Sequence, residues 1–430
     1  MKHGPCSLFV VLPLAWSACV TEPREPSAAL RPSPRPAATA TPRPVVASEA
    51  SFVPSIELVE SVPSGAIADD TSIPNTDETW LAMVRGARRS VAVGQFYVAE
   101  RPTDSLLPDR LGPVVQELGA AARRGIAVRF LVDAGFMRRY PTSLDHLRSL
   151  GVTVRELDTA KLMGGVQHAK YLVVDEEDSY VGSANFDWRS LDHIHELGLR
   201  VRSRRIAAAF LAAFDGDWVA AGGKASSPLA YGNPSEPELI GDAEVLPVMS
   251  PRGHLPDPRF WDLERLVAAL DGAKREIRVQ LLSVELVGHD GSRFEVLDAA
   301  LRRAAVRGVK VHLLLSNWQK TSKKLGAALG LAKVPGIEVR FVNVPPDPRG
   351  FIPFARVVHA KYLVVDDDVA WVGTSNWGGD YFLRSRNLGL MVRSPSLAAQ
   401  LRGVFDRLAA SSLAEVADPS RAYEPPRIGD

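Results

Sequence analysis

Two spacings of apolar residues alternate along this chain. Residues 78–89 place Trp80, Met83, Val84 and Ala87 at helical intervals. Residues 91–98 are almost continuously apolar, as a buried strand would be. The same two patterns then succeed each other. Helices are predicted over 111–124, ending at Gly125, and over 145–150, ending at Gly151. Strands are predicted over 126–132, 152–157, 171–174, 179–181 and 197–201, and a helix over 205–221. Residues 222–256 are rich in Gly, Pro and Ser, a linker composition. The order then begins again. Helices are predicted over 261–270, 294–307, 323–331 and 396–410, with strands over 277–284, 309–315, 337–342 and 388–392. Strands alternating with helices imply an α/β fold with a mostly parallel or mixed sheet. Two such halves, residues 75–222 and 257–412, are joined by the linker 223–256 and followed by a tail, 413–430.

The halves share more than their pattern. The octapeptide HAKYLVVD runs from His168 to Asp175 and again from His359 to Asp366, an offset of 191 residues (359 − 168). Gly182, Ser183 and Asn185 follow the first copy, and Gly373, Thr374 and Asn376 follow the second at the same offset. Lys or Asp occupies a given site with a chance of roughly 6%, so nine His should yield about 0.03 such matches by accident. A duplication retained only for its fold explains the apolar YLVV. It does not explain the polar residues around it. A repeat this long marks a duplicated domain, since solenoid repeats run to about 50 residues.

Composition adds little and excludes some classes. The 430 residues are 46% hydrophobic and 23% charged, ordinary for a globular protein with a sizeable core. The net charge of +1 gives no general electrostatic footprint for nucleic acid, though a local basic cleft stays open. The two cysteines, Cys6 and Cys19, both lie near the start, so the body holds neither a disulfide nor a thiolate metal site. Residues 1–19 read as an export signal, with Lys2, an apolar run over 8–16 and small residues before Cys19. The layout resembles a bacterial lipoprotein signal, which implies lipidation at Cys19 and residence in the cell envelope. Residues 20–74 form a tether and lead-in, rich in Pro, Ala, Thr and Arg up to residue 50, where no core can be buried.

Residues two apart on a strand share a face, so His168 with Lys170, and His359 with Lys361, each put an imidazole beside an ammonium. Two copies facing each other surround one small volume. Ser183, Asn185, Thr374 and Asn376 add neutral hydrogen-bonding groups. This set suits a phosphodiester, whose oxygens gain charge in the transition state. One imidazole attacks phosphorus and the other protonates the leaving alcohol; the residues alone leave open which does which. The lysines supply positive charge, so neither a metal nor a cofactor is required. Each imidazole needs a partner to fix its tautomer. Glu196 lies 28 residues after His168 (196 − 168) and Asn387 28 after His359 (387 − 359), placing both as orienting candidates, across the two halves or within them.

These motifs, two H-x-K-x4-D stretches each followed by G-[ST]-x-N, resemble those of the phospholipase D superfamily. The stretches VGSANFDWRSL at 181–191, VKVHLLLSNW at 309–318 and GTSNWGGDYF at 373–382 are most similar to the branch of animal lysosomal exonucleases and poxvirus envelope lipases. The likeness covers about residues 75–410. It implies two similar α/β sandwich halves related by a pseudo-two-fold axis, with the site at their interface. It also implies metal-independent cleavage through a phosphohistidine, with His168 as nucleophile, His359 as general acid, and Lys170, Lys361, Asp175 and Asp366 in the catalytic set. Asn387 stands where other members often carry an acid.

Several residues admit a plainer role. Asp175 and Asp366 also suit turns that end strands. His193 and His195 lack the further ligands of a metal site and read as exposed or packed side chains. Trp188, Trp318, Trp377, Tyr381 and Phe382 lie close to the motifs and suit either stacked bases, an acyl pocket or the core. The arginines at 123, 124, 302 and 303 read as solvated helix faces. The expected substrate is a phospholipid, given the membrane-directed start, with single-stranded nucleic acid as the alternative. A non-catalytic phosphate- or lipid-binding protein is the alternative from another class. The sequence leaves the oligomeric state open.

Overall fold

In the computed structural model, residues 52–224 and 226–429 are described. The export signal, Cys19 and the Pro-rich tether to residue 50 lie outside them. Two mixed sheets dominate the unit Val53–Asp430. The first runs Ser55–Ser61, Ile194–Arg202, Asp178–Gly182, Tyr171–Val174, Ser90–Gly94, Ala127–Asp133, Thr153–Leu157. The second repeats that order as Ala243–Ser250, Asn387–Arg393, Val369–Gly373, Tyr362–Val365, Glu276–Leu281, Lys310–Ser316, Ile337–Val342. Seven strands thus correspond one to one, which is the duplication seen in the sequence. The strands followed by helical crossovers pair in parallel, as Ser90–Gly94 does with Ala127–Asp133, and the motif strands pair antiparallel.

The two copies of YLVV explain their own composition. Tyr171 and Val173 face a core that also holds Tyr362 and Val364 from the other half. That shared core contains the helices Arg204–Ala220 and Pro395–Ala409, so it joins the halves. Leu172 and Val174 face the opposite way, into a layer with the helices Thr76–Gly86 and Leu111–Arg123. Leu363 and Val365 do the same against Asp262–Gly272 and Val296–Val306. A strand buried on both faces has no polar side, hence the unbroken apolar run. The arrangement is the expected pair of α/β halves.

Three expected boundaries need correction. The lead-in 20–74 contains a sheet strand, Ser55–Ser61, whose Ser61 is in register with Glu196. The linker 223–256 contains Glu238–Ile240 and Ala243–Ser250, and Ser250 is in register with Asn387. Pro247 disguised the longer strand, since Pro cannot donate to a ladder. It is tolerated because the outer neighbour covers only Ala243–Val245, leaving Pro247 on an open edge. The tail 413–430 adds Ala414–Val416 beside Ile337–Val342.

Candidate functional site

The two HAK segments meet at the interface of the halves, each tied to the other half by its backbone. His168 N donates to Arg386 O at 2.9 Å, and His359 N donates to His195 O at 2.8 Å. Each acceptor immediately precedes the residue that holds the imidazole. His168 Nδ1 lies 3.0 Å from Asn387 Oδ1. His359 Nδ1 lies 2.8 and 3.0 Å from the two oxygens of Glu196. The orienting residues therefore act across the interface, Asn387 on His168 and Glu196 on His359. The buried Arg386, held by Asp217 at 2.7 and 2.8 Å, braces the same crossing.

The Asn387 amide has one orientation. Its Nδ2 donates to the carbonyls of Tyr381 at 2.8 Å and Ser385 at 3.3 Å, so its Oδ1 faces His168. His168 must then donate from Nδ1, which leaves the Nε2 lone pair free. The Glu196 carboxylate likewise fixes a proton on His359 Nδ1 and leaves Nε2 of that ring for chemistry. Both rings line one cleft of about 580 Å³, together with Asn185 and Asn376.

Behind the imidazoles lie Lys170 and Lys361, both wholly buried. Each ammonium donates to the carbonyl of its own histidine, Lys361 to His359 at 2.5 Å. Burial lowers both, and Lys361 falls to about 7. Lys170 falls well below the ordinary lysine range, by burial and then by the charge of Lys361. Burial is also the main cause that holds His168 well below the ordinary imidazole range, followed by the two lysines. His359 is pushed down to about 4 by burial, although the Glu196 carboxylate opposes the shift. Burial also presses Glu196 towards the neutral acid, but His359, Lys361 and the Ser183 hydroxyl outweigh it and keep the carboxylate ionised. Burial thus favours the neutral forms of these lysines and imidazoles, and an anionic phosphate beside them would favour their charged forms.

The other site candidates divide. Ser183 and Thr374 are buried and do not line the cleft. The Ser183 hydroxyl exchanges hydrogen bonds with Leu197, and Thr374 Oγ1 donates to Asn387 Oδ1 at 2.9 Å. They support the orienting residues, which corrects the expectation of direct phosphate contact. Asp175 and Asp366 are corrected more strongly. Each sits at the far end of its motif strand, about 16 Å along the chain from its lysine at ~3.3 Å per residue. Asp175 accepts from the backbone N–H groups of Arg88, Arg89 and Ser90 at 2.8, 2.7 and 3.0 Å. Asp366 does so from Lys274, Arg275 and Glu276. Both have positive φ, 53° and 51°, where a short polar side chain is tolerated. They staple strands together.

His195 is packed, between Glu60 at 2.8 Å and Gln280 at 2.9 Å, and His193 is buried edge-on to Trp188. Of the five aromatic candidates, Trp318 and Tyr381 line the cleft, whereas Trp188, Trp377 and Phe382 are core. The Tyr381 ring stands edge-on to His168 at 4.9 Å. The periodicity gave no sign of the first-half wall, built by Phe96, Tyr97, Phe136, Arg139 and Tyr140. Its short helix Ala134–Met137 is too brief for a period, but Asp133, its N-cap, was a readable signal.

Residues 81–218 and 266–409 match the family described as cardiolipin synthase, PLD-like domain, one match for each half. The chain belongs to the phospholipase D-like phosphodiesterase family. Phospholipase D Z of Dictyostelium discoideum is 32% identical over 381 residues, which cover 82% of this phospholipase D-like chain and 88% of that protein. The 5'-3' exonuclease PLD3 of Bos taurus is 32% identical over 388 residues, covering 81% and 78%. In fold, the chain is similar to the crystal structure of phosphatidylserine synthase of Haemophilus influenzae. That likeness has a TM-score of 0.56 at 12% identity and covers 81% of this chain and 87% of that one.

Proposed function

We propose that this phospholipase D-like chain cleaves phosphodiesters through a phosphohistidine at His168. The reading rests on one observation: two imidazoles share a cleft, each with Nδ1 held by the opposite half and Nε2 left for chemistry. The Nε2 lone pair of His168 forms a bond to phosphorus as the bond to the leaving alcohol breaks. The departing oxygen takes the Nε2 proton of His359. Water then attacks phosphorus, gives its proton to His359, and the P–N bond breaks to restore His168. Lys170, Lys361, Asn185 and Asn376 stabilise the oxygens of the transferring group.

For the substrate we infer single-stranded nucleic acid. The half-buried rings of Phe96, Phe136 and Tyr140 form a wall on which bases would stack, and stacking is worth about 1–3 kcal/mol per base. The name of the exonuclease relatives agrees with this. A phospholipid is the second reading. Phe354 lines the mouth and is 44% exposed, and Leu383 beside the rim residue Arg384 is 50% exposed, as a lipid-facing rim would be. The export signal and Cys19 would place either activity in a bacterial cell envelope, tethered at its N-terminus. Labelled single-stranded DNA and phosphatidylcholine vesicles, assayed side by side with His168→Ala as control, decide between them. Turnover of the DNA alone supports the first reading, turnover of the lipid alone replaces it, and turnover of neither removes both.

A further inference from the structure

Three arginines and His289 line the cleft besides the catalytic histidines, and all of these but Arg139 sit against a carboxylate. Arg189 forms a close pair with Asp187 at 2.6 Å. His289 sits 2.7 Å from Asp380. Arg384 contacts both Asp290 and Asp380. Arg139 differs: it lines the cleft, is exposed, and forms no ion pair among the described residues. Its guanidinium lies over the Phe136 ring at 4.7 Å instead.

That ring is fixed relative to the reacting histidine. Phe136 packs on Phe96 at 4.3 Å, and Phe96 packs on His168 at 5.3 Å. Asp133 strengthens the link, since one of its oxygens accepts from Phe136 N at 2.8 Å and the other from Gln167 N at 2.9 Å, next to His168. A guanidinium pre-set on an aromatic face loses little freedom on binding an anion and presents a planar fork to phosphate. The scissile phosphate already has two buried lysines. The geometry therefore points to Arg139 as the binding site for a second phosphate of the substrate, the next one along a single strand. This inference rests on the nucleic-acid reading above and adds a specificity-determining residue to it.

The test compares substrates that differ by one phosphate: the dinucleotide TpT and the trinucleotide TpTpT. Arg139→Gln is expected to raise KM for TpTpT relative to TpT by about tenfold, the value of one charge-assisted contact. Arg139→Lys, which keeps the charge but loses the stacked planar fork, should restore only part of that ratio, and added salt should shrink the difference between wild type and Arg139→Gln. An unchanged KM ratio in Arg139→Gln overturns the proposal, as does an equal loss on both substrates with the thermal midpoint lowered. Failure of the underlying reading looks different. Wild-type protein that cleaves bis-p-nitrophenyl phosphate but neither nucleotide removes the nucleic-acid substrate, and the second-phosphate site with it. Sensitivity of Arg139→Gln seen only on phosphatidylglycerol vesicles assigns the residue to a lipid surface and overturns the proposal too.

Discussion

Asn387 Oδ1 accepts the Nδ1 hydrogen of His168 at 3.0 Å, and it does so from the other half of the molecule. The corresponding partner of His359 is a carboxylate, Glu196. An amide stabilises an imidazolium far less than a carboxylate does, which suits the proposed roles of His168 as a neutral nucleophile and His359 as a proton carrier. Asn387→Asp should erase this difference. A carboxylate beside His168 raises its affinity for the proton, so the acid limb of the kcat/KM profile moves to higher pH. Profiles of the two proteins on bis-p-nitrophenyl phosphate provide the check, and coincident acid limbs refute the assigned roles.

Glu196→Gln tests the other side of the pair. Without the carboxylate, His359 binds its proton less well and becomes a poorer general acid. Loss should be on the order of 10²-fold with an alkyl alcohol leaving group. It should be much smaller with p-nitrophenol, which departs without protonation. Equal losses on both substrates mean that Glu196 serves the fold alone.

How far could this site be read from the chain? His168, Lys170, His359, Lys361, Asn185 and Asn376 were legible because the duplication wrote each chemical role twice at one spacing. The pairing of Glu196 and Asn387 with opposite histidines was only half legible. Register within one sheet carries no information about which half faces which. The strand Ala243–Ser250 escaped because Pro247 breaks the usual strand signature, and its tolerance depends on an edge that only the fold reveals. The aromatic wall escaped because Phe96 falls in the apolar run 91–98, read as one buried strand although the strand ends at Gly94, and because the helix Ala134–Met137 that carries Phe136 is too short for a period. For Asp175 and Asp366 the sequence left two roles standing, because a spacing repeated in both copies looks the same whether a residue serves the chemistry or holds the strand that carries it.

Asp175→Ala should therefore damage the fold before the chemistry. It leaves three backbone N–H groups without their acceptor, at a cost of about 1–3 kcal/mol. Urea unfolding should shift its midpoint accordingly. The folded fraction, assayed well below that midpoint, should keep kcat within about tenfold of wild type. A silent midpoint with abolished turnover would return Asp175 to the catalytic set.

The alkaline side of the activity should follow the depressed Lys361. Lys361 is charged below about 7 and neutral above it, so its attraction for the phosphate is present at acid pH and lost as pH rises through that value. His359, pushed down to about 4 by burial, must take up its proton to act as the acid, which also favours acid conditions. Across about pH 4 to 9, kcat/KM should fall with rising pH and fall more steeply above about 7. An activity maximum on the alkaline side contradicts both shifts.

The division of labour between the histidines is open to direct capture. With bis-p-nitrophenyl phosphate, the first p-nitrophenolate leaves without a proton, so His359→Ala should still permit attack by Nε2 of His168. Hydrolysis of the adduct then lacks the base that activates water. His359→Ala should therefore release about one equivalent of p-nitrophenolate per chain in a burst. The chain should gain the mass of one p-nitrophenyl phosphoryl group, on a phosphoramidate that acid cleaves and alkali spares. His168→Ala should give neither burst nor adduct. Peptide mapping locates the modification, and an adduct on His359 in the His168→Ala protein would reverse the roles of the two residues while leaving the rest of the site intact.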